Sequence, residues 1–194
     1  MEITVKKEDI VSALNTTLGV VEKRQTLPIL ANVLFEVNEN TFKITATDLE
    51  SEVTTSGSIS NLISPGKTTT SAKKLNELCR LIPDGEEINL ALNGNKLNIK
   101  TTNGKYSLST LPSTDFPIFN IDSGDSPLVI PAKDLRELIK NTSFAMGNQD
   151  WRHYLNGLYL AISDSEITAV TTDAHRLAVA NLLTQSDNSF SGII

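Results

Sequence analysis

The fold is decided by a stretch that begins with LNGLY (Leu155–Tyr159) and ends with TTDAHRL (Thr171–Leu177). Apolar residues on either side of the polar turn Ser163–Ser165 predict two strands joined by a short loop. A polar loop and the apolar run Leu177–Ala180 come next, and this run predicts a third strand. The stretch therefore predicts three consecutive strands.

The same pattern occurs earlier in the chain, at an offset of 125 positions. With this offset, Leu30–Val37 aligns with Leu155–Ile162, and Thr47-Asp48 aligns with Thr172-Asp173. The alignment continues towards the N-terminus without a gap and covers about fifty positions, which is too long for chance periodicity. The chain therefore contains an internal repeat.

The repeated module is predicted to contain a strand, a helix and three further strands. The helix of the first copy is expected to bury Ile10, Leu14 and Leu18, which recur at helical spacing. The predicted elements of this copy are the strand Ile3–Val5, the helix from about Lys7 to Val21, and the strands Leu30–Val37, Phe42–Thr47 and Glu52–Gly57.

Two further copies of the module follow. In the second copy, Ser71 is predicted to cap the helix, and the Asn-Gly pairs at 93–94 and 103–104 predict hairpin turns. Its elements are the strand Lys67–Thr70, the helix Ser71–Ile82, and the strands Ile88–Leu92, Leu97–Thr101 and Tyr106–Thr110. The third copy has a strand at Leu128–Ile130, a helix from Pro131 to about Met146, and three strands that end near Leu183.

Pairs of modules predict the domain organisation. Residues 1–120 hold two complete modules and are expected to form one domain. Residues 121–127 are rich in Gly, Ser and Pro and are expected to be a linker. Residues 128–194 are expected to be the first half of a second domain, truncated after Phe190–Ile194, the first strand of its second module.

Composition limits the class of protein. Apolar residues make up 39% and aromatic residues 5% of the chain, so the core is expected to be aliphatic. The single Cys79 excludes an internal disulfide and suits a reducing compartment. The N-terminus has no signal-peptide pattern, and no stretch has the length of a membrane span. These features predict a cytoplasmic protein that does not associate with membranes.

The net charge of -6 argues at first sight against a nucleic-acid partner, but two predicted helices carry basic stripes. Each stripe has residues at positions i, i+3 and i+7, opposite the apolar side. An ordinary solvated helix face remains the alternative for either stripe alone, but recurrence in a repeat favours a surface that faces a polyanion. The stripes contain no base-reading residues or stacking aromatics, so any nucleic acid would be bound by its backbone. The residues are Lys133, Arg136 and Lys140 on the third helix, and Lys73, Asn76 and Arg80 on the second.

The loop after the long helix is a second candidate for contact with phosphate. Arg24 lies in this loop in the first module, and Gln149 and Arg152 lie in it in the third. These side chains can donate hydrogen bonds to phosphate oxygens. An ordinary polar loop is an equally good interpretation of the pattern alone.

Enzyme interpretations have little support. Cys79 lies on an apolar helix stripe, where a buried structural thiol is expected. His153 and His175 lack the short spacing typical of metal ligands, and the sequence has no Gly-rich phosphate loop and no nucleophile elbow. Asp48 and Asp173 recur after Thr at equivalent positions, which predicts a structural turn role. No cofactor and no metal are expected.

Six strings along the whole chain are specific enough to identify a family. They are TLPIL (Thr26–Leu30), TDLE (Thr47–Glu50), SLSTLP (Ser107–Pro112), DFP (Asp115–Pro117), YLNG (Tyr154–Gly157) and TDAHRL (Thr172–Leu177). Together they resemble the β sliding clamp, the beta subunit of bacterial DNA polymerase III. The chain is similar to the N-terminal portion of that family.

The resemblance implies an α+β DNA-clamp fold built from paired β-α-β-β-β modules. In this family, two protomers of three domains each close head-to-tail into a ring, with helices lining a central channel and sheets outside. The ring encircles duplex DNA and acts as a non-catalytic processivity factor in DNA replication. It binds DNA without sequence preference, and it binds the replicative polymerase and clamp-loader subunits through short peptide motifs.

The resemblance also implies roles for particular residues. Ala174 stands where the family usually has glycine, which predicts a change in backbone angles or in pocket shape there. The implied DNA contacts are Arg24 and Gln149, with His153 and Tyr154 near them. The implied peptide pocket contains Leu155, Thr172, Ala174, His175, Arg176 and Leu177, and the implied dimer interface contains Lys74, Tyr106 and Leu108.

Two other functions remain as alternatives. The first is a non-catalytic protein-interaction scaffold of the same fold that does not encircle DNA. The second is a hydrolase that uses His153 or His175. Salt-dependent retention on duplex DNA distinguishes the clamp from the scaffold. The absence of bound metal and of activity in either His→Ala variant would exclude the hydrolase.

Overall fold

The computed structural model describes residues 1–21, 27–119, 130–184 and 189–194. These residues form a mixed α+β structure in two compact units, Met1–Asn120 and Ile121–Ile194. The predicted linker 121–127 lies outside the described residues, as does most of the predicted strand Leu128–Ile130. Within the described ranges, no helix is both long and apolar enough to cross a membrane.

The first unit is a nine-stranded antiparallel sheet with two helices. The strand order is β4-β3-β2-β6-β9-β8-β7-β1-β5. The elements are β1 (Glu2–Lys6), α1 (Lys7–Thr17), β2 (Asn32–Val37), β3 (Thr41–Thr47), β4 (Glu52–Ser58), β5 (Asn61–Ser64), β6 (Gly66–Ser71), α2 (Ala72–Leu81), β7 (Glu87–Asn93), β8 (Lys96–Lys100) and β9 (Lys105–Leu111).

Both helices of this unit contribute to one hydrophobic core. Leu14 of α1 and Leu75 of α2 are completely buried in it, together with the inward-facing residues of the strands. Phe35 and Phe42 stack on neighbouring strands with their ring centroids 5.4 Å apart. The predicted cap of α2 is confirmed, because the Lys74 backbone N–H donates to the Ser71 hydroxyl at the N-terminus of the helix.

The described residues of the second unit form one α-helix and a four-stranded antiparallel sheet of order β12-β11-β10-β13. The Thr171 hydroxyl donates to the Thr142 carbonyl and so joins the sheet to the end of the helix. The elements are α3 (Ala132–Thr142), β10 (Tyr159–Ile162), β11 (Glu166–Thr172), β12 (Leu177–Leu183) and β13 (Phe190–Ile193).

The repeat predicted from the sequence is present in the strand register. Leu34 pairs with Thr45 in the first unit, and Tyr159 pairs with Val170 in the second, so both partners differ by the same 125 positions. β13 pairs with β10 as β6 pairs with β2. The strand at the C-terminus is therefore the counterpart of the strand that opens the second module.

Several boundaries and one element differ from the sequence predictions. The helices predicted to end at about Val21 and about Met146 end at Thr17 and Thr142. The predicted strand at Leu30 begins only at Asn32, because Pro28–Ala31 form a 3₁₀ turn in which the proline cannot donate to a strand partner. The strand predicted from Leu155 begins at Tyr159, after a 3₁₀ turn at His153–Leu155. β5 was not predicted from the sequence, because this short strand has polar residues at both ends.

Candidate nucleic-acid interface and peptide pocket

The basic stripe on α3 is exposed, as its spacing predicts. Lys133, Arg136 and Lys140 all lie on the solvent side of the helix. Leu138, on the opposite side, is buried in the core of the second unit. Among the described residues, no ion pair involves any of the three cations. Their charges are therefore free to face a ligand.

The stripe on α2 differs from the prediction, because Asn76 is buried. Arg80, one turn further along α2, donates to the Asn15 side chain of α1 at 3.2 Å. Asn76 therefore lies on the side that packs towards α1. The exposed stripe on α2 is reduced to Lys73 and Arg80, and the Lys73 ammonium lies 3.9 Å from the Glu77 carboxylate.

The loop between α3 and β10 is organised by Asp150, which the sequence analysis did not identify. The Asp150 carboxylate accepts from the Arg152 backbone N–H at 2.9 Å and from the guanidinium at 3.1 and 2.9 Å. The Asp150 backbone N–H donates to the Asn156 side chain, which donates back to the Asp150 carbonyl. These bonds hold residues 150–156 of the loop together.

The same contacts determine the charge of this loop. The hydrogen bonds from the Arg152 side chain and backbone lower the pKa of Asp150 to about 2. Arg152 therefore carries a charge that is balanced within the loop. Its guanidinium also lies 5.8 Å from the centre of the Trp151 ring. Arg152, a predicted DNA contact, is thus engaged with its own neighbours.

Other loop residues are free to contact a ligand. Gln149 is exposed and adopts a left-handed backbone angle (φ 57°). His153 and Tyr154 are exposed in the 3₁₀ turn that follows, and Trp151 is 83% exposed. Arg24, the counterpart of Gln149 in the repeat, lies outside the described residues.

The turn between β11 and β12 holds most of the predicted peptide pocket. The Asp173 carboxylate accepts from the backbone N–H groups of His175 and Arg176 and from the Arg176 side chain, each at 2.9 Å. The backbone hydrogen bonds from Arg176 and His175 lower the pKa of Asp173 below its usual value. The Thr172 hydroxyl accepts from Ala174 N–H and donates to the Arg176 carbonyl.

The turn between β3 and β4 contains the same hydrogen bonds 125 positions earlier. Asp48 accepts from the backbone N–H groups of Glu50 and Ser51, and Thr47 accepts from Leu49 N–H and donates to the Ser51 carbonyl. The predicted structural role of both aspartates is confirmed.

The two turns also share a strained backbone position. Leu49 and Ala174 have φ of 74° and 73°, in the left-handed region that glycine favours. Ala174 therefore keeps the conformation that a glycine would adopt, at the cost of backbone strain.

The remaining predicted pocket residues lie around this turn. Leu155 is buried at the end of the 3₁₀ turn before β10, whereas Leu177 is 64% exposed and pairs with Thr172 across the sheet. The predicted interface residues of the first unit lie on two elements. Lys74 is exposed in the first turn of α2. Tyr106 and Leu108 lie on the same face of β9, and Tyr106 is exposed.

Sequence models of one family match both units. The model of the DNA polymerase III beta subunit, N-terminal domain, matches residues 1–122, and the model of its central domain matches residues 129–194. This chain belongs to the DNA polymerase III beta subunit family. The family expected from the six strings is thereby confirmed.

Individual clamps agree with this assignment. The chain is similar to the beta sliding clamp of Salmonella typhimurium, with 39% identity over 184 residues that cover 94% of this chain and 50% of the relative. With the beta sliding clamp of Escherichia coli strain K12 it shares 38% identity over 197 residues, covering 100% of this chain and 53% of the relative. The chain spans about half the length of these clamps.

Solved clamp structures have the same fold. The crystal structure of the DNA polymerase III subunit beta from Pseudomonas aeruginosa superposes with a TM-score of 0.93 at 37% identity, covering 100% of this chain and 53% of the other. The pol III beta of Caulobacter crescentus gives 0.89 at 33% identity, covering 95% and 51%. The predicted α+β clamp fold is confirmed.

Proposed function

We propose that this chain is the N-terminal portion of a sliding clamp that encircles duplex DNA and tethers the replicative polymerase during DNA replication. Membership of the beta subunit family carries the proposal. The clamp is a non-catalytic, cytoplasmic accessory subunit that needs no cofactor. Its partners are duplex DNA, the replicative polymerase and clamp-loader subunits, and a second protomer in a head-to-tail ring.

The DNA contacts in this proposal are electrostatic. Lys133, Arg136 and Lys140 on α3 and Lys73 and Arg80 on α2 lie at the same places in their modules, and their exposed cations suit phosphate oxygens. In the adjacent loop of the third module, Gln149, His153 and Tyr154 are exposed donors. Arg152 supports this loop through Asp150 and contributes less net charge than its residue type suggests.

The test is a salt titration of duplex binding with a charge-reversed α3. We expect weak, sequence-indifferent binding whose logarithm falls linearly with the logarithm of salt concentration, with a slope of about 0.9 per phosphate neutralised. Changing Lys133, Arg136 and Lys140 to Glu should reduce that slope. Fluorescence anisotropy of labelled duplexes of two unrelated sequences measures both the salt dependence and the sequence preference of binding.

The matched control changes the exposed strand residues Lys43, Lys96 and Lys100 to Glu. Both triple variants alter the net charge equally, by three changes of two units each. An equal loss of slope in both variants would show that net charge alone is responsible, and a strong preference for one duplex would contradict backbone binding. Absence of salt-dependent binding would favour the scaffold alternative.

The peptide pocket is the second part of the proposal. Leu155 and Leu177 supply apolar surface, and Thr172, Ala174, His175 and Arg176 shape and polarise its rim. In a full-length clamp, Leu177→Asp should abolish binding of a polymerase-tail peptide in a calorimetric titration. Leu183→Asp is the control, because this exposed residue lies on the same face of β12 at its far end. Equal affinity of both variants would remove the pocket assignment.

The third part is the head-to-tail contact, which we assign to Lys74, Tyr106 and Leu108. In a full-length clamp, Leu108→Asp is unsuitable because Leu108 packs against the core. Lys74→Glu and Tyr106→Ala change exposed groups instead, and both should shift the ring towards monomers in sedimentation velocity. An unchanged dimer in the double variant would contradict the assignment of the interface to these residues.

A further inference from the structure

A segment of the first unit runs from the middle of its sheet to the edge strand β4. This segment, residues 112–119, is called the strap below. It begins after Leu111, which pairs with Thr69 of β6. At its other end, the Phe119 backbone N–H donates to the Glu52 carboxylate of β4 at 3.0 Å. Because β2 and β3 lie between β6 and β4, the strap passes over both of them.

The strap lies on the face of the sheet that is turned away from the helices. Leu34, Thr45 and Thr54 are direct cross-strand partners and share one face, and Glu52 shares it with Thr54. The residues of the opposite face, such as Phe35, belong to the core beneath the helices. Glu52 therefore meets the strap on the outer face.

Burial identifies the anchor of the strap. Leu34 and Thr45 are 1% and 4% exposed although they lie outside the hydrophobic core cluster, and Phe116 of the strap is 4% exposed. The neighbouring Ile118 is 51% exposed. The burial of these three side chains indicates that Phe116 covers Leu34 and Thr45, and the Phe119 N–H bond to Glu52 holds the far end of the strap. A peptide bound in a groove also uses side-chain burial and backbone hydrogen bonds, and the strap differs from a fully extended peptide by its 3₁₀ turn at Ser113–Asp115.

The internal repeat relates this groove to the peptide pocket of the second unit. At the offset of 125 positions, Glu52 corresponds to Leu177 and Thr47 corresponds to Thr172. The strap thus ends on the counterpart of the predicted pocket. The counterpart of buried Leu34 is Tyr159, which is 42% exposed.

We propose that the outer face of β2–β4 is a second peptide-docking groove, and that residues 112–119 are its built-in ligand. The groove takes a segment with a 3₁₀ turn, one aromatic side chain and a backbone N–H directed at Glu52. While the strap is seated, a peptide of the same chemistry is excluded from the first unit. The comparison with the pocket rests on the proposed function, whereas the groove rests on the contacts of the first unit alone.

The experiment uses the whole chain and a synthetic peptide of residues 111–119 in which a photoreactive benzoylphenylalanine replaces Phe116. Removing the anchor with Phe116→Ala should free the groove. We expect at least tenfold more crosslinking to residues 30–54 in this variant than in the unchanged chain, as mapped by mass spectrometry. Phe144→Ala is the control, because it removes an exposed phenylalanine of the second unit.

A second variant keeps the test valid if Phe116→Ala does not fold. Glu52→Ala removes only the acceptor for Phe119 N–H, and it should give crosslinking between that of the unchanged chain and that of Phe116→Ala. Crosslinks confined to residues 155–183, or equal labelling of residues 30–54 in all variants, would overturn the proposal. Neither result bears on DNA binding or on Leu177, so the proposed function is tested separately.

Discussion

Helices α1 and α3 occupy equivalent places in the repeat but are buried to different extents. Leu14 of α1 is fully buried, whereas its counterpart Ile139 of α3 is 42% exposed. Both positions are apolar and both helices pack on a sheet of the same register. In the first unit, α1 also contacts α2 of the second module. The burial of a module helix is therefore set by the neighbouring module as much as by its own sequence.

The largest expected effect tests this difference directly. Leu14→Ala removes a fully buried side chain and should destabilise the first unit by about 2 to 5 kcal/mol. Ile139→Ala should cost the second unit less than about 1 kcal/mol, because much of that side chain already contacts water. Amide hydrogen exchange in β2 and β10 reports each unit separately. Equal losses of stability in the two units would contradict the inference that α2 sets the burial of α1.

The next effect concerns the stability of the two equivalent turns. The Thr47 hydroxyl is buried and makes two hydrogen bonds to its turn, so Thr47→Val should cost about 1 to 3 kcal/mol. Thr172 makes the same bonds in a half-buried position, where water can replace them. Thr172→Val should therefore cost less than about 1 kcal/mol. Urea denaturation of both variants measures the difference, and the reverse order would be inconsistent with burial as the cause.

A smaller effect should be common to both units. Leu49→Gly and Ala174→Gly place glycine at the two left-handed positions and should each stabilise their unit by about 0.5 to 1 kcal/mol. Leu49 is 46% exposed, so little packing is lost with its side chain. Thermal unfolding of the two single variants and the double variant checks the prediction. A loss of stability at either position would mean that the lost side-chain contacts cost more than the relief of backbone strain gains there.

The smallest effect belongs to the second unit alone. The effect is a dependence of stability on pH that comes from Asp150. The first unit has Gln25 at the aligned position, and a glutamine side chain does not titrate. Because the pKa of Asp150 is lowered to about 2 in the folded chain, its contribution to stability is present above its usual pKa and is lost as pH falls towards 2. The carboxyl carbon of Asp150 should titrate near that value by NMR. In Arg152→Ala the pKa should rise towards its ordinary value, and an unchanged titration would exclude the Arg152 contact as the cause.

Much of the fold could be predicted because its signals are local. Hydrophobic periodicity located the helices, Asn93-Gly94 marked a hairpin, and the repeat predicted β13 from β6. The start of β2 was missed because Pro28 outweighs the apolar run that follows it. β5 was missed because it is defined by its pairing with β1, which lies far away in sequence.

The sequence predicted where the candidate site residues lie along the chain, but not which residues they contact. The spacing on α3 identified its exposed cations correctly. It failed for Asn76, whose burial depends on the packing of α2 near α1. The pairing of Arg152 with Asp150 was also missed, because residues two apart meet only when the loop adopts this particular conformation. Periodicity describes one element at a time and carries no information about what packs against it.

The place of β1 in the sheet has a consequence for the order of events during translation. β1 lies between β7 and β5, and Glu2 pairs with Ala91. At typical ribosome speeds, the partner strand is made roughly 5 to 20 s after the N-terminus emerges. The hairpin of β10 and β11, in contrast, can form as soon as both strands leave the ribosome. The opening strand of the first unit can therefore pair with β5 before β7 exists, but its β7 side stays unpaired for most of that unit's synthesis.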